Sequence, residues 1–411
     1  MDQPVPALKQ TWQKNIALFL ASQTISLFGS SLVQYAIMWH ITMKTQSGVM
    51  MTISIICGFV PIFFLSPLAG VWADRYNRKM LIVISDSLIA VTTLVLAILF
   101  YLGHGSIWLL FAASAVRAAG SGVQTPAVSA ILPQIVPEDR LTRINGINSS
   151  VQSAIMIVSP MASGALLAAL PIETIFFIDV VTAALAIFIL LVLLNITAHA
   201  KSLVRQTTGY FTDLKQGIAY IRGHQFVKKY FAFFAVFFIF ITPVAFLTPL
   251  QVTRSFGNDV WRLTAIEIAF SLGMLLSGAF IAAWGGFRNR VYTMALSCVM
   301  IGICSMGLGI IPGFTGYLIV MGLSGVTMPL FNTPATVLLQ EKIEEDYLGR
   351  VFGVMGMLST SIMPLSMLVY GPVSDAIRIE WLLLGSGLIM CIMGFMLRAN
   401  KTLVEAGAPA A

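Results

Sequence analysis

Charged residues are scarce in this chain of 411 residues. Only 10% of the chain is Asp, Glu, Lys or Arg and 58% is hydrophobic, whereas soluble domains contain about 25% charged residues. So much apolar surface cannot be hidden from water in a soluble fold, so the composition indicates an integral membrane protein. The net charge of +7 does not indicate nucleic acid, because the basic residues fall in separate short loops. Phospholipid headgroups are the expected neighbours.

The sequence also lacks the usual signs of metal, nucleotide and enzyme sites. Its four cysteines all lie inside apolar runs without metal-ligand spacing, so we expect free packing residues and no cofactor. No phosphate-binding Gly-x-x-x-x-Gly-Lys-Ser/Thr sequence occurs. The four histidines are scattered over terminal and loop positions, so nothing in their pattern predicts an enzyme.

Long apolar runs fill most of the chain. With ~20 residues for each membrane helix and short loops between them, this length allows about twelve spans. The first run, 16–43, is too long for the core of a signal peptide, so we predict a retained first helix. The apolar signal stops over 197–225. The sequence thus predicts an all-α membrane protein of twelve transmembrane helices in two six-helix halves, 1–196 and 226–411, joined by a cytoplasmic linker, 197–225.

An internal repeat supports the two halves. The tripeptide Thr-Pro-Ala at 125–127 recurs at 333–335, and the pattern Glu-Asp-x-Leu-x-Arg-x-x-Gly at 138–146 recurs at 345–353. Both copies fall at the end of a fourth helix and the start of a fifth, as expected of two halves that run in the same sense. At the same offset Arg117 corresponds to Gly325, so the second half has kept the scaffold without this charge.

The distribution of basic residues predicts the orientation. Nineteen Lys and Arg residues fall on the side of the membrane that holds the termini, and four fall on the other side. Because cytoplasmic loops carry the excess of Lys and Arg, we expect both termini in the cytoplasm and the protein in the plasma membrane.

Polar residues within the spans are candidates for the lining of a cavity. On the first helix they recur at three- and four-residue steps, which places them in one stripe. Such a stripe is expected to face protein or water, either along a cavity or as hydrogen bonds that tie helices together. The candidates are Gln23, Ser26, Ser30 and Gln34 on the first helix, with Gln124 and Asn332 elsewhere.

The charged loop after the second helix resembles a family signature. The residues Gly70, Asp74, Arg75, Arg78 and Lys79 match the pattern Gly-x-x-x-Asp-Arg-x-Gly-Arg-Lys of the major facilitator superfamily. Asn77 stands where that family has its second glycine. The departure is mild, because asparagine is the non-glycine residue that best tolerates the left-handed conformation of tight turns. The resemblance extends over essentially the whole chain and implies the twelve-helix fold.

Two further stretches resemble the drug:proton antiporters of this superfamily. Arg117 in the fourth helix is followed by small residues, as in those antiporters. In the fifth helix, Gly146, Ser159, Pro160, Ser163 and Gly164 resemble the motif Gly-x8-Gly-x3-Gly-Pro-x2-Gly-Gly, although Ile155 breaks it and serines replace two of its glycines. Within the family, the sequence is most similar to the macrolide-efflux group.

The resemblance implies a monomeric secondary transporter without enzymatic activity. It would export amphipathic small molecules against an inward flow of protons, by alternating access of a cavity in a lipid membrane. Three alternatives stay open at this stage. They are a solute importer of the same fold, a channel-like or sensor protein that does not couple flux to protons, and a membrane enzyme.

The intramembrane charges are the candidates for proton coupling. Arg117 needs a carboxylate partner at a similar depth in the membrane, and we predict that this partner is Asp86. Counted from the tip of the α-helical hairpin that carries both residues, their depths differ by ~7.5 Å, most of which the long arginine side chain can cover. Asp179 has no basic residue near it in sequence. We therefore predict that Asp179 carries the proton, with a hydrogen-bonded structural acid as the alternative.

We predict that Asp74 and Arg75 control conformational exchange rather than substrate choice, because they lie at the cytoplasmic surface. The resemblance implies that this loop latches the two halves in the outward-open state, and we expect the region near Glu345 and Asp346 to be its counter-surface. The change Asp74→Asn is expected to slow transport of every substrate alike, which turnover over a panel of substrates would measure. A variant with an altered substrate spectrum and unchanged turnover would contradict this role.

Overall fold

The computed structural model describes residues 5–194 and 210–408, and every regular element in these ranges is helical. The side chains of Asp74, Glu345 and Asp346 lie outside the described residues, as does the predicted linker up to residue 209. The helices before that gap are α1 (Val5–Thr45), α2 (Gly48–Arg75), α3 (Arg78–Tyr101), α4 (Ile107–Ile135), α5 (Leu141–Ala169) and α6 (Ile172–Phe188). A π-helical turn, Ile189–Leu193, continues α6.

The helices after the gap begin with α7, which occupies most of the remaining predicted linker. They are α7 (Tyr210–Gly223), α8 (Gln225–Thr242), α9 (Thr248–Ser255), α10 (Val260–Trp284), α11 (Arg290–Ile310), α12 (Phe314–Lys342), α13 (Glu345–Ala376), α14 (Ile379–Ala399) and α15 (Lys401–Gly407). A π-helical turn, Pro243–Leu247, joins α8 to α9, so that the two form one continuous span.

Eleven helices in the described ranges are long and apolar enough to cross a membrane, so the predicted count of twelve is not confirmed. The long helix missing from the eleven is α4, which has 29 residues. Arg117 and Gln124 lower its hydropathy, although its length is sufficient for a span. The same polar residues that make α4 of interest for function therefore weaken its membrane signal.

By its internal contacts the chain divides into two compact units. One comprises Met1–Ile41 and Ile53–Arg205, and the other comprises Thr42–Thr52 and Gln206–Ala411. The loop between α1 and α2 thus groups with the second unit. The division predicted from the sequence instead has this loop in the first half, 1–196. In the first unit, apolar side chains of α1, α3 and α4 form one buried core. Its members include Ile16, Phe19, Ile82, Val83, Ala127 and Ile131.

The loops of the first unit are closed by local hydrogen bonds. Gly103 has φ +80° in the turn between α3 and α4, a conformation that glycine adopts without strain. Asn77 has φ −65° and ψ 112°, and its side chain accepts a hydrogen bond from the backbone N–H of Met80. The turn therefore does not use a left-handed conformation at Asn77. Asparagine serves here as the N-cap of α3 instead.

In the second unit, helices approach each other at glycines. A Cβ added to Gly302 on α11 would lie 2.6 Å from the carbonyl oxygen of Gly387 on α14, and a Cβ on Gly387 would lie 2.6 Å from that of Gly302. Small residues permit such backbone contacts between membrane helices. Aromatic packing adds a second contact, because the rings of Phe237 and Phe331 stack at 3.6 Å.

The change Gly387→Ala is expected to lower the free energy of unfolding by ~1–3 kcal/mol, because the new methyl group meets backbone that cannot move away. Gly385→Ala is the matched control on the same helix, since nothing lies within 4 Å of a Cβ at that position. Thermal unfolding of both variants in detergent would measure the difference. Equal midpoints would contradict the close approach of α11 and α14.

Candidate functional site

A cluster of polar side chains lies inside the first unit, where α1, α3, α4 and α6 meet. We call it the buried polar network. Its members are Ser26 and Ser30 of α1, Asp86 and Thr93 of α3, Arg117 and Gln124 of α4, and Asp179 of α6. Three of them can carry a charge, and all three of these are buried. Buried polar groups in a membrane protein need partners.

Arg117 and Asp179 form a buried ion pair. Arg117 Nη1 lies 2.5 Å from Asp179 Oδ2, and the Asp179 side chain is fully buried. Arg117 Nη1 also donates to Thr93 Oγ1, and Arg117 Nη2 donates to the backbone oxygen of Ser30 at 3.2 Å. Thr93 and Ser30 in turn donate to the two Asp179 oxygens at 3.1 and 3.4 Å. Both charges are thus compensated, the condition under which a buried pair is tolerated.

The predicted pairing of Arg117 with Asp86 is wrong. The depths of the two residues along the α3–α4 hairpin allowed this pairing. The prediction did not consider that α6 brings the carboxylate of Asp179 to Arg117 instead. Gly29 of α1 makes room for that helix, since a Cβ there would lie 2.0 Å from Thr182 Oγ1 and 2.9 Å from Asp179 Oδ1. In space, therefore, Asp179 does have a basic residue beside it.

Asp86 is buried without a compensating cation. Its exposed fraction is 1%. Oδ1 accepts hydrogen bonds from Gln124 Nε2 at 2.6 Å and from Ser26 Oγ at 3.1 Å. Oδ2 is buried and has no hydrogen-bond partner among the residues that the structure describes. A buried carboxylate oxygen without a partner is rare in native structures and indicates function or a bound proton.

The predicted cavity-lining residues separate into two groups. Ser26, Ser30 and Gln124 take part in the buried polar network. The others do not: Gln23 contacts Ser22 Oγ at 3.5 Å, Gln34 is exposed, and Asn332 lies on α12 in the second unit.

The charged loop after α2 ties helix ends together. Arg78 donates from Nε to the carbonyl oxygen of Ala73 and from Nη1 to that of Ala130, both at 2.8 Å. Lys79 Nζ donates to the carbonyl oxygen of Leu194 at 2.8 Å. Cations at these carbonyls satisfy helix C-termini. Gly70 has open space around it and Arg75 is exposed, so neither is needed for this packing.

The small residues of α5 face α1 at one end only. Ser163 Oγ donates to the carbonyl oxygen of Leu32 at 3.0 Å. Ser159, Pro160 and Gly164 are buried along the same part of α5, and Ser159 Oγ has no partner within the described ranges. Gly146 is exposed with nothing near it. Of the residues that resemble the antiporter motif, only those in 159–164 are packed inside the unit, where their small side chains permit close packing.

Sequence reasoning missed a second polar cluster, which lies in the second unit. The carboxylate of Asp375 accepts hydrogen bonds from the backbone N–H groups of Gly48 and Val49 at 2.7 and 3.0 Å, so it caps the first turn of α2. Arg254 Nη2 donates to Asp375 Oδ1 at 2.6 Å, and Arg254 Nε donates to the carbonyl oxygen of Gln46 at 3.0 Å. A cap supplied from 327 residues away leaves no local sequence signal.

The described residues contain no group of three or more His, Cys, Asp or Glu side chains that could hold a metal ion. The carboxyl, guanidinium, amide and hydroxyl groups of the buried polar network can bind protons, compensate charge and form hydrogen bonds.

Comparisons with known proteins relate the chain to transporters. The family model of the Major Facilitator Superfamily matches residues 15–367. The chain is 29% identical over 384 residues to macrolide efflux protein A of Streptococcus pyogenes, covering 93% of this chain and 95% of that protein. It is 28% identical over 323 residues to macrolide efflux protein A of Enterococcus faecalis, covering 78% and 99%. A crystal structure of the nucleoside transporter NupG has a TM-score of 0.65 at 16% identity, covering 95% and 98%, which shows likeness of fold alone.

The change Arg117→Ala is expected to lower the free energy of unfolding by ~3–5 kcal/mol, because it leaves the Asp179 carboxylate buried and unpaired. Adding Asp179→Ala should restore part of this loss, as measured by thermal unfolding in detergent. The matched control adds Asp86→Ala instead and should restore nothing. Equal recovery in the two double variants would contradict the observed pairing.

Proposed function

Because the chain belongs to the Major Facilitator Superfamily of membrane transporters, we propose that it exports amphipathic small molecules, macrolides among them, in exchange for protons. The relatives named as macrolide efflux proteins support this direction and this class of substrate. The small-residue stretch of α5, which resembles the antiporter motif, gives independent support.

The observation that carries the proton part of the proposal is the unpartnered oxygen of Asp86. An ionised carboxylate in this position would leave charge on a buried oxygen that nothing neutralises. A protonated Asp86 would keep Oδ1 as the acceptor for Gln124 and Ser26 and carry the hydrogen on Oδ2. The existing contacts therefore fit the neutral acid, and Asp86 is the proton-binding group of this account.

The Arg117–Asp179 pair has a different role in the same account. Its two charges compensate each other inside the helix bundle. The pair also orders α1, because Arg117 binds the Ser30 backbone oxygen and Ser30 binds Asp179. Ser26, one turn away on α1, binds Asp86. A change in the charge of Asp86 would thus alter its hydrogen bond with Ser26 of α1, the same helix that contacts the ion pair through Ser30.

The loop with Gly70, Asp74, Arg75, Arg78 and Lys79 would control the exchange between inward-open and outward-open states. Both termini would lie in the cytoplasm, which is the side with the excess of basic residues. The transporter would work as a monomer in the plasma membrane.

Asp86→Asn is expected to abolish uphill drug efflux driven by a pH gradient in proteoliposomes, while downhill drug exchange continues. Asparagine keeps the acceptor for Gln124 and Ser26 but cannot bind and release a proton. Glu405→Gln, at an exposed acid on α15 in the second unit, is the control and should leave the driven rate unchanged.

Three results would contradict this proposal. Driven efflux at the unmodified rate in Asp86→Asn would remove Asp86 from proton coupling. Loss of driven efflux in the paired variant Arg117→Gln with Asp179→Asn, with Asp86→Asn unaffected, would move the role to the ion pair. Accumulation of the drug with the proton flow, rather than against it, would indicate an importer.

A further inference from the structure

A groove runs along the outside of the second unit between α11 and α14. Its cavity volume is about 410 Å³, within the range of about 300–1,000 Å³ typical of small-molecule sites. Ala295, Val299 and Gly394 lie at its base, and exposed larger side chains stand beside them. These larger residues are Phe287, Tyr292, Leu296 and Phe395.

The small residues of the two helices produce the groove. A Cβ at Gly394 would lie 2.8 Å from the carbonyl oxygen of Ala295 and 2.6 Å from Val299 Cγ2, so the backbones nearly touch there. Gly394 itself has no side chain to place in the space above this contact. The larger side chains of Tyr292, Leu296 and Phe395 line the groove beside it.

A cation with no acidic partner among the described residues lies at one end of the groove. Arg398, in the last turn of α14, is exposed and lies over the ring of Tyr292, with its guanidinium carbon 5.9 Å from the ring centroid. No carboxylate of the described residues lies within ion-pair distance of it. Arg290, the first residue of α11, lies at the same end of the groove but forms an ion pair with Glu341.

Other features of this end match the surface of a membrane. Arg288 and Lys401 are exposed near the groove and add positive charge. Trp284, Phe287 and Tyr292 form an aromatic group, in which the first two rings meet at 5.0 Å. Aromatic and basic side chains together are typical of the headgroup level of a membrane. From Tyr292 to Val299 the groove continues for seven residues of α11, or ~10 Å toward the membrane interior.

We propose that this groove is a binding site for an anionic phospholipid, with one acyl chain in the groove and the phosphate at Arg398. Basic pockets between membrane helices recognise anionic headgroups in this way. The charge at the end of the groove argues against a cationic drug as the occupant, because Arg398 would repel it. An apolar groove that ends in an unpaired cation complements a lipid chain that ends in an anion.

Native mass spectrometry of the delipidated protein would test the proposal. The protein is titrated with phosphatidylglycerol or with phosphatidylcholine of the same chain length, and the lipid-bound fraction is measured. We expect phosphatidylglycerol to be preferred, and Arg398→Gln to reduce its affinity about fivefold, as removal of one basic contact at a membrane surface does. Arg398→Lys should keep the preference, since the charge remains.

Arg262→Gln is the matched control, because Arg262 also lies over an aromatic ring but is paired with Asp259. It should bind phosphatidylglycerol like the unmodified protein. Equal binding of both lipids, or an unchanged preference in Arg398→Gln, would overturn the site.

A second measurement needs no change at Arg398. Phosphatidylglycerol with brominated chains should quench the fluorescence of Trp284 more than brominated phosphatidylcholine does, with Trp284→Phe as the reference. Equal quenching by the two lipids would overturn the proposal as well.

Discussion

A charge buried in a membrane protein must be compensated, and the first unit is arranged around this requirement. Arg117 lies within α4, and three other helices supply its partners: Thr93 from α3, Asp179 from α6 and the Ser30 backbone oxygen from α1. The pair fixes these helices relative to one another. Because Arg117 pairs with Asp179, Asp86 is the buried acid of this network that has no cation beside it. Asp86 is therefore the acid that is suited to bind a proton.

The second unit carries the repeated sequence without this charge. Gly325 occupies the position on α12 that corresponds by sequence offset to Arg117, and a Cβ there would lie 2.0 Å from the carbonyl oxygen of Phe270 on α10. Where the first unit accommodates a guanidinium group, the second brings two helix backbones into contact. The repeated sequence therefore supports two physical solutions: a polar network in one unit, and close helix packing in the other.

The sequence predicted the all-helical membrane fold because composition and apolar run length report on it directly. Six of the seven residues that meet in the buried polar network were already candidates from the sequence, because polar and charged residues within apolar helices stand out. They are Ser26, Ser30, Asp86, Arg117, Gln124 and Asp179, and only Thr93 was missed. It could not identify the partner of Arg117, since that choice depends on how α6 packs. The cap of α2 by Asp375 had no local signal, and the polar residues of α4 obscured its membrane character.

The central claim is that Asp86 binds the transported proton while Asp179 stays paired with Arg117. Its most direct test is the release of protons into weakly buffered detergent solution when a macrolide binds to the purified protein. The account predicts that the unmodified protein releases protons, and that Asp86→Asn binds the drug without releasing any. Proton release from Asp86→Asn equal to that of the unmodified protein would contradict the account.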